Sequence, residues 1–260
     1  MEAVYLSHSE RVNGPCSSWD VLVREESGFR TFPAIIKVSM ATGRTSSFVD
    51  QAPGEAPVRG MLHRAAESSG DFLVLTHGAS GNMNASLLVA LADEFCTSGF
   101  NVLRCDLPYR QRRANGPPSP AGAKEDQQGL ARAVELMKKQ FVGRSFLGGS
   151  SYGGRQASLM SASNPSLVEG LLLLSYPLHP PGRPSQLRTS HFPELRVPCL
   201  FVSGTNDSFA TIDELKGALQ LIPARAELVP VTGASHGLAK SGNVGGLADL
   251  ITQKFHEFFR

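Results

Sequence analysis

From Asp71 onward, short uninterrupted apolar runs alternate with longer stretches whose apolar residues recur every three or four positions. The runs Phe72–Thr76, Asn101–Asp106, Arg144–Leu147, Gly170–Tyr176, Val197–Gly204 and Ala226–Val231 predict strands, most of them apolar enough to be buried on both faces. Between them, Leu87, Leu88, Leu91, Ala92 and Phe95 mark a helix stopped by Ser98-Gly99. Leu130, Val134, Met137 and Phe141 line one face of a second helix over about 125–141, closed by Gly143. A third covers Arg155–Ser163 and ends at Asn164-Pro165; a fourth opens at Thr211, which has capping-box spacing to Glu214. Leu247, Leu250, Ile251, Phe255 and Phe258 give the terminal helix its core face. This grammar predicts an α/β fold with a mostly parallel central sheet and helices on both faces. Ligands bind such sheets beyond the carboxyl ends of the strands.

Residues 1–65 carry weaker patterning. Trp19–Arg24, Phe32–Met40 and Val58–His63 predict short strands, with a turn at Gln51–Pro57, so antiparallel N-terminal strands and a flexible leader are expected to precede the sheet. At 260 residues a single domain over 1–260 is expected, without internal repeats. The 41% apolar and 18% charged fractions are those of a globular protein, and no run nears the roughly eighteen apolar residues of a membrane span. The first residues lack a basic start and apolar stretch, so a cytoplasmic protein is expected. Cys16, Cys96, Cys105 and Cys199 have no CxxC spacing and are expected to be reduced thiols. A net charge of +2 gives no reason to expect nucleic-acid binding, although basic residues crowd Arg104–Arg113.

The chemistry concentrates where the strand ending at Leu147 meets the following helix. Gly149-x-Ser151-x-Gly153 is the pattern of a nucleophile elbow, in which a serine hydroxyl is lifted clear of the sheet on a turn that has no room for flanking side chains. Ser150 competes, but that register would put Tyr152 where a small residue is needed. A serine needs a base, and the base an orienting acid. Asp207 in Gly204-Thr205-Asn206-Asp207 and His236 in Gly233-Ala234-Ser235-His236-Gly237 each follow a predicted strand. The chain order Ser, Asp, His at successive strand ends is that of the α/β-hydrolases. Asp213 and Glu214 are alternative acids, already explained by the capping box, and His8, His63, His179, His191 and His256 are less well placed. Backbone N–H groups of Ala79 and Tyr152 are the candidate oxyanion donors, with His77 read as a structural residue of the first loop.

On these residues, Asp71–Arg260 resembles the α/β-hydrolase superfamily, in particular its compact dienelactone-hydrolase-like members: HGASGN at the oxyanion loop, GGSSYGG at the elbow, GTND at the acid and GASHG at the base. Asp106-Leu107-Pro108-Tyr109-Arg110 with Arg112 and Arg113, and Tyr176–Gly182, look like a branch with bacterial predicted hydrolases and testis-expressed and chromatin-complex-associated relatives. The resemblance implies a Ser151, Asp207, His236 triad, no cofactor and no metal. It does not cover the first sixty or so residues, and Ala79 stands where many esterases carry glycine. Arg110, Arg112 and Arg113 follow a strand end and are candidates to meet an anionic substrate group. The short stretch between Leu171 and Cys199 leaves no room for a large lid. The function expected is hydrolysis of a small carboxylic ester or thioester; the alternative is a non-catalytic interaction module with a protein partner. The oligomeric state is left open.

Overall fold

The computed structural model describes residues 5–8, 19–25, 28–34, 44–238 and 243–260. They belong to two units, Met1–Ala41 and Thr42–Arg260. In the first, β1 (Tyr5–His8), β2 (Trp19–Glu25) and β3 (Gly28–Ala34) form an antiparallel three-stranded sheet, with Tyr5 opposite Leu22 and Trp19 opposite Ala34. The strand expected over Phe32–Met40 meets β3 at 32–34; residues 35–40, the leader at 1–4 and Cys16 lie outside the described residues.

The second unit holds an eight-stranded sheet. Its elements are β4 (Arg44–Asp50), β5 (Val58–Arg64), β6 (Phe72–Thr76), α1 (Ser86–Thr97), β7 (Asn101–Asp106), α2 (Pro108–Arg112), α3 (Ala123–Lys138), β8 (Ser145–Ser150), α4 (Tyr152–Ser163), β9 (Gly170–Leu174), β10 (Cys199–Gly204), α5 (Ile212–Leu219), β11 (Ala226–Val231) and α6 (Val244–Phe258). The strand order is β11-β10-β9-β8-β6-β7-β5-β4; β5 runs antiparallel to both its neighbours, and from β7 to β11 every pairing is parallel. β4 escaped the sequence reading because only Phe48 and Val49 are apolar in it, and it lies exposed at the sheet edge.

Alternation along the strands divides the core. Phe72, Val74, Leu147, Leu171 and Leu173 face α3, α4 and α5, whereas Leu73, Leu75, Phe146, Leu172 and Leu174 face α1 and α6. The strand after β6 is laid on one side of it and β8 on the other, so the chain reverses its direction of growth there. The loops leaving β6 and β8 therefore depart to opposite faces, at the place beyond the strand ends where open α/β sheets bind ligands. No large lid covers it: β9 and β10 are joined by a loop whose only helical element is the short turn Phe192–Glu194. Among the described residues no helix is long and apolar enough to cross a membrane. Burial pushes the thiols of Cys96, Cys105 and Cys199 up to about 12, and all three are free.

The α6 face is anchored by Phe255, fully buried among Phe95, Phe146 and Phe259 at ring separations of 4.9, 5.0 and 4.5 Å. We expect Phe255→Ala to lower the unfolding free energy by about 3–5 kcal/mol, measured by chemical denaturation. A loss below about 1 kcal/mol would show that this cluster does not bear on stability.

Candidate active site

β8 ends at Ser150 and α4 begins at Tyr152, so Ser151 must reverse the chain alone. It does so at φ 49 and ψ −114, a conformation that L-residues adopt only under constraint, at a cost of order 1–3 kcal/mol. Two backbone bonds hold it: the Ser151 N–H donates to Leu174 O at 2.8 Å, and the Arg155 N–H to Ser151 O at 2.9 Å. The turn leaves no space for flanking side chains. A Cβ on Gly149 would fall 2.7 Å from the backbone of Gly153 and Gly154, and one on Gly153 would fall 2.4 Å from His77 O.

Loops after β10 and β11 bring two further groups to this turn. Asp207 is buried and accepts the His236 Nδ1–H at 2.8 Å, leaving Nε2 as the acceptor for the Ser151 hydroxyl, also at 2.8 Å. The carboxylate is held in turn by the Phe209 N–H at 2.8 Å, and the Phe209 ring stacks on the imidazole at 4.0 Å. His236 thus reaches Ser151 and not its neighbour Ser150, which remains the last residue of β8. An imidazole so oriented can take a proton from the hydroxyl, and the carboxylate can balance the resulting charge.

The loop after β6 is shaped through its carbonyls. Gly78 O accepts His77 Nδ1–H at 2.8 Å and the Tyr109 hydroxyl at 3.3 Å; Ala79 O accepts the Tyr109 hydroxyl at 2.8 Å and Arg110 at 2.9 Å. In a trans peptide the N–H points away from the carbonyl, so fixing Gly78 O fixes the Ala79 N–H. Among the described residues that N–H has no acceptor, nor has the Tyr152 N–H at the first position of α4. His77 is buried, its Nε2 accepts the Leu107 N–H at 3.2 Å, and desolvation lowers its pKa, so it is a neutral brace of this loop.

Arg110 requires a correction. It is buried, and its guanidinium donates to the carbonyls of Gly81, Ala79, Ala114, Arg113 and Gly116, which occupy every N–H it has. It clamps the loop and has no donor left for a substrate anion. Arg112 is half exposed and pairs with Glu125, while Arg113 is exposed and donates to Pro117 O. None of the three bonds to Ser151, Asp207 or His236.

Sequence reasoning missed Asp126. Its carboxylate, fully buried on α3, accepts the Tyr109 N–H at 3.0 Å on one oxygen and the Tyr152 hydroxyl at 2.8 Å on the other. It ties the residue after the elbow to the residue that shapes the β6 loop, and burial raises its pKa. The available signal was an acid among the apolar positions of α3.

A family model, described as an alpha/beta hydrolase domain, matches residues 69–257. Among solved structures, dienelactone hydrolase from Anabaena variabilis superposes with a TM-score of 0.66 at 19% identity, covering 84% of this chain and 100% of that one. XC6422 from Xanthomonas campestris, described as a lidless a/b serine hydrolase, gives 0.64 at 17%, covering 82% and 95%. Est1E from Butyrivibrio proteoclasticus gives 0.64 at 15%, covering 81% and 98%. These likenesses are likenesses of fold.

The Asp126 bridge has a measurable worth. Asn at this position presents an NH2 group to one of two donors, so we expect Asp126→Asn to cost about 1–3 kcal/mol of stability, read from urea midpoints. Tyr152→Phe, which removes only one of the two bonds, should cost less. Equal midpoints in wild type and Asp126→Asn would remove the bridge from the account.

Proposed function

The chain belongs to the alpha/beta hydrolase family, and from that premise we propose that it is a serine hydrolase cleaving a small carboxylic ester or thioester through an acyl-enzyme on Ser151. The observation that carries the reading is the unbroken hydrogen-bond relay from Ser151 through His236 to Asp207. Ser151 Oγ attacks the substrate carbonyl carbon as His236 Nε2 takes its proton. Asp207 keeps the imidazole in the required tautomer and balances the imidazolium. The oxyanion of the tetrahedral intermediate is received by the Ala79 and Tyr152 N–H groups; each such donor lowers the barrier by about 2.7–4 kcal/mol in comparable sites. Collapse breaks the bond to the leaving alcohol or thiol, which departs with the His236 proton. Water then repeats the sequence on the acyl-Ser151 ester, releasing the acid and restoring the hydroxyl.

Two features support the scheme beyond the relay. Both proposed oxyanion donors are unclaimed within the described residues, and the site has no large lid, as suits a small substrate. The finer assignment to the branch with bacterial predicted hydrolases and testis-expressed and chromatin-complex-associated relatives rests on Asp106–Arg110 and Tyr176–Gly182.

A fluorophosphonate probe should label the wild type and leave Ser151→Ala unlabelled. On any ester that the wild type turns over, Asp207→Asn should lower kcat by about 10⁴-fold. A folded wild type that takes no label would overturn the enzyme reading, and label that persists in Ser151→Ala would move the nucleophile elsewhere.

A further inference from the structure

Two arginines beside the elbow carry charge that no acid among the described residues neutralises. Arg155 lies four positions after Ser151 on α4, where side chains lean toward the helix N-terminus and so back toward the elbow. Its Nε is buried without a hydrogen-bond partner. The acids of the surrounding elements are engaged elsewhere: Asp126 by Tyr109 and Tyr152, Asp207 by His236, and Glu214 by Thr211 and His179. Arg188 belongs to the loop between β9 and β10. Its N–H donates to Leu178 O at 2.8 Å, its carbonyl accepts the Tyr176 hydroxyl at 2.8 Å, and its Nη1 donates to Pro177 O at 3.3 Å. These bonds hold it just beyond the carboxyl end of β9, the strand paired with β8.

The same loop is fastened to α4 by His191, whose Nε2 lies 2.8 Å from Ser158 Oγ, itself 2.9 Å from Arg155 O. Burial and then Arg155 push the His191 pKa down to about 4, so the imidazole is neutral and the positive charge belongs to the arginines. Burial first, and then the charge of Arg155, lowers the pKa of Arg188. Like charges held together in a partly desolvated place repel, and an anion between them reverses the sign of the interaction. Both side chains are only partly exposed, which limits screening by solvent.

We propose that Arg155 and Arg188 form an anion-binding subsite beside Ser151, which takes a carboxylate or phosphate carried on the acyl part of the substrate. The acyl side follows from the two faces of the sheet. His236, which protonates the leaving group, is followed by α6, and α6 packs on the face opposite α4. A group held by the α4 side therefore stays with the acyl-enzyme. For a dicarboxylate monoester, water adds across the acyl–oxygen bond and releases the alcohol and the dicarboxylate. The subsite's part in turnover rests on the serine hydrolase reading; its affinity for anions does not.

The test compares 4-nitrophenyl butyrate with the 4-nitrophenyl monoester of glutaric acid, which adds a carboxylate to an acyl chain of similar length. We expect the wild type to favour the anionic ester by tenfold or more in kcat/KM. Arg155→Gln and Arg188→Gln should each reduce that ratio at least tenfold, Arg155→Lys should restore part of it, and Arg183→Gln, an exposed arginine of the same loop, should keep it. A wild-type ratio near one, or a ratio that neither Gln variant changes, overturns the proposal. If neither ester is hydrolysed, the hydrolase reading has failed, and thermal-shift titration with glutarate and with inorganic phosphate decides the subsite alone. Saturable stabilisation that is lost in both Gln variants supports it, and the tighter of the two anions identifies the group recognised; no stabilisation by either overturns it.

Discussion

The conformation of Ser151, at φ 49 and ψ −114, is the constraint around which this end of the molecule is arranged. A helix that starts with no spacer after a buried strand must begin within van der Waals reach of the neighbouring strand. Here that neighbour is β6, and the fit is tight enough that a Cβ on Gly153 would fall 2.4 Å from His77 O. The elbow and the β6 loop are therefore one packed unit, and neither can move without the other. The strain at Ser151 is offset by bonds from two directions, one across to β9 and one back from α4, so both the sheet and the helix must be in place before the turn is stable.

Within the β6 loop, His77 holds Gly78 O, but the rest of the turn around it is ordered largely from outside. Gly78, Ala79 and Gly81 contribute little beyond their backbone, so their carbonyls must be held from outside, and the holders come from the segment after β7. Tyr109 and Arg110 supply the donors, and Asp126 fixes Tyr109 through its backbone and Tyr152 through its hydroxyl. A buried carboxylate whose hydrogen-bond partners are a backbone N–H and a hydroxyl is costly, and burial raises its pKa accordingly. Its position is accounted for by what it joins: Tyr152, the residue after the elbow, and Tyr109, whose hydroxyl holds the β6 loop.

Much of this was legible in the sequence, for a physical reason. Strands buried on both faces must be apolar throughout, so Phe72–Thr76 and Gly170–Leu174 announce themselves, and the tight turn at Gly149-x-Ser151-x-Gly153 admits few residues. An edge strand such as β4 is under no such pressure and left no pattern. Charge was the other failure. The crowding at Arg110, Arg112 and Arg113 suggested an anion site, yet the chain cannot say whether a guanidinium will face solvent, a carboxylate or a set of carbonyls. Arg110 found carbonyls and Arg112 found Glu125. Arg155 and Arg188 lie far apart in the chain and share no motif; only the fold brings them to adjoining elements.

A site without a large lid must choose its substrate by other means than enclosure. Closure normally expels water and strengthens every polar contact inside. An open site keeps water for the second half of an acyl-enzyme cycle but weakens any recognition that depends on exposed charge, because exposed ion pairs contribute little. Recognition by charge then works only where the charged groups are already partly desolvated and already positioned. The arginines of the proposed subsite meet these conditions between them. The Arg155 Nε is buried, and Arg188 is pinned through its own backbone and through Pro177 O, so an arriving anion need not order the Arg188 guanidinium from a free state. The desolvation that disfavours the pair when empty is what would make it selective when filled. Substrate choice would then be built into the elbow helix and the adjacent loop, with no need for a moving cover.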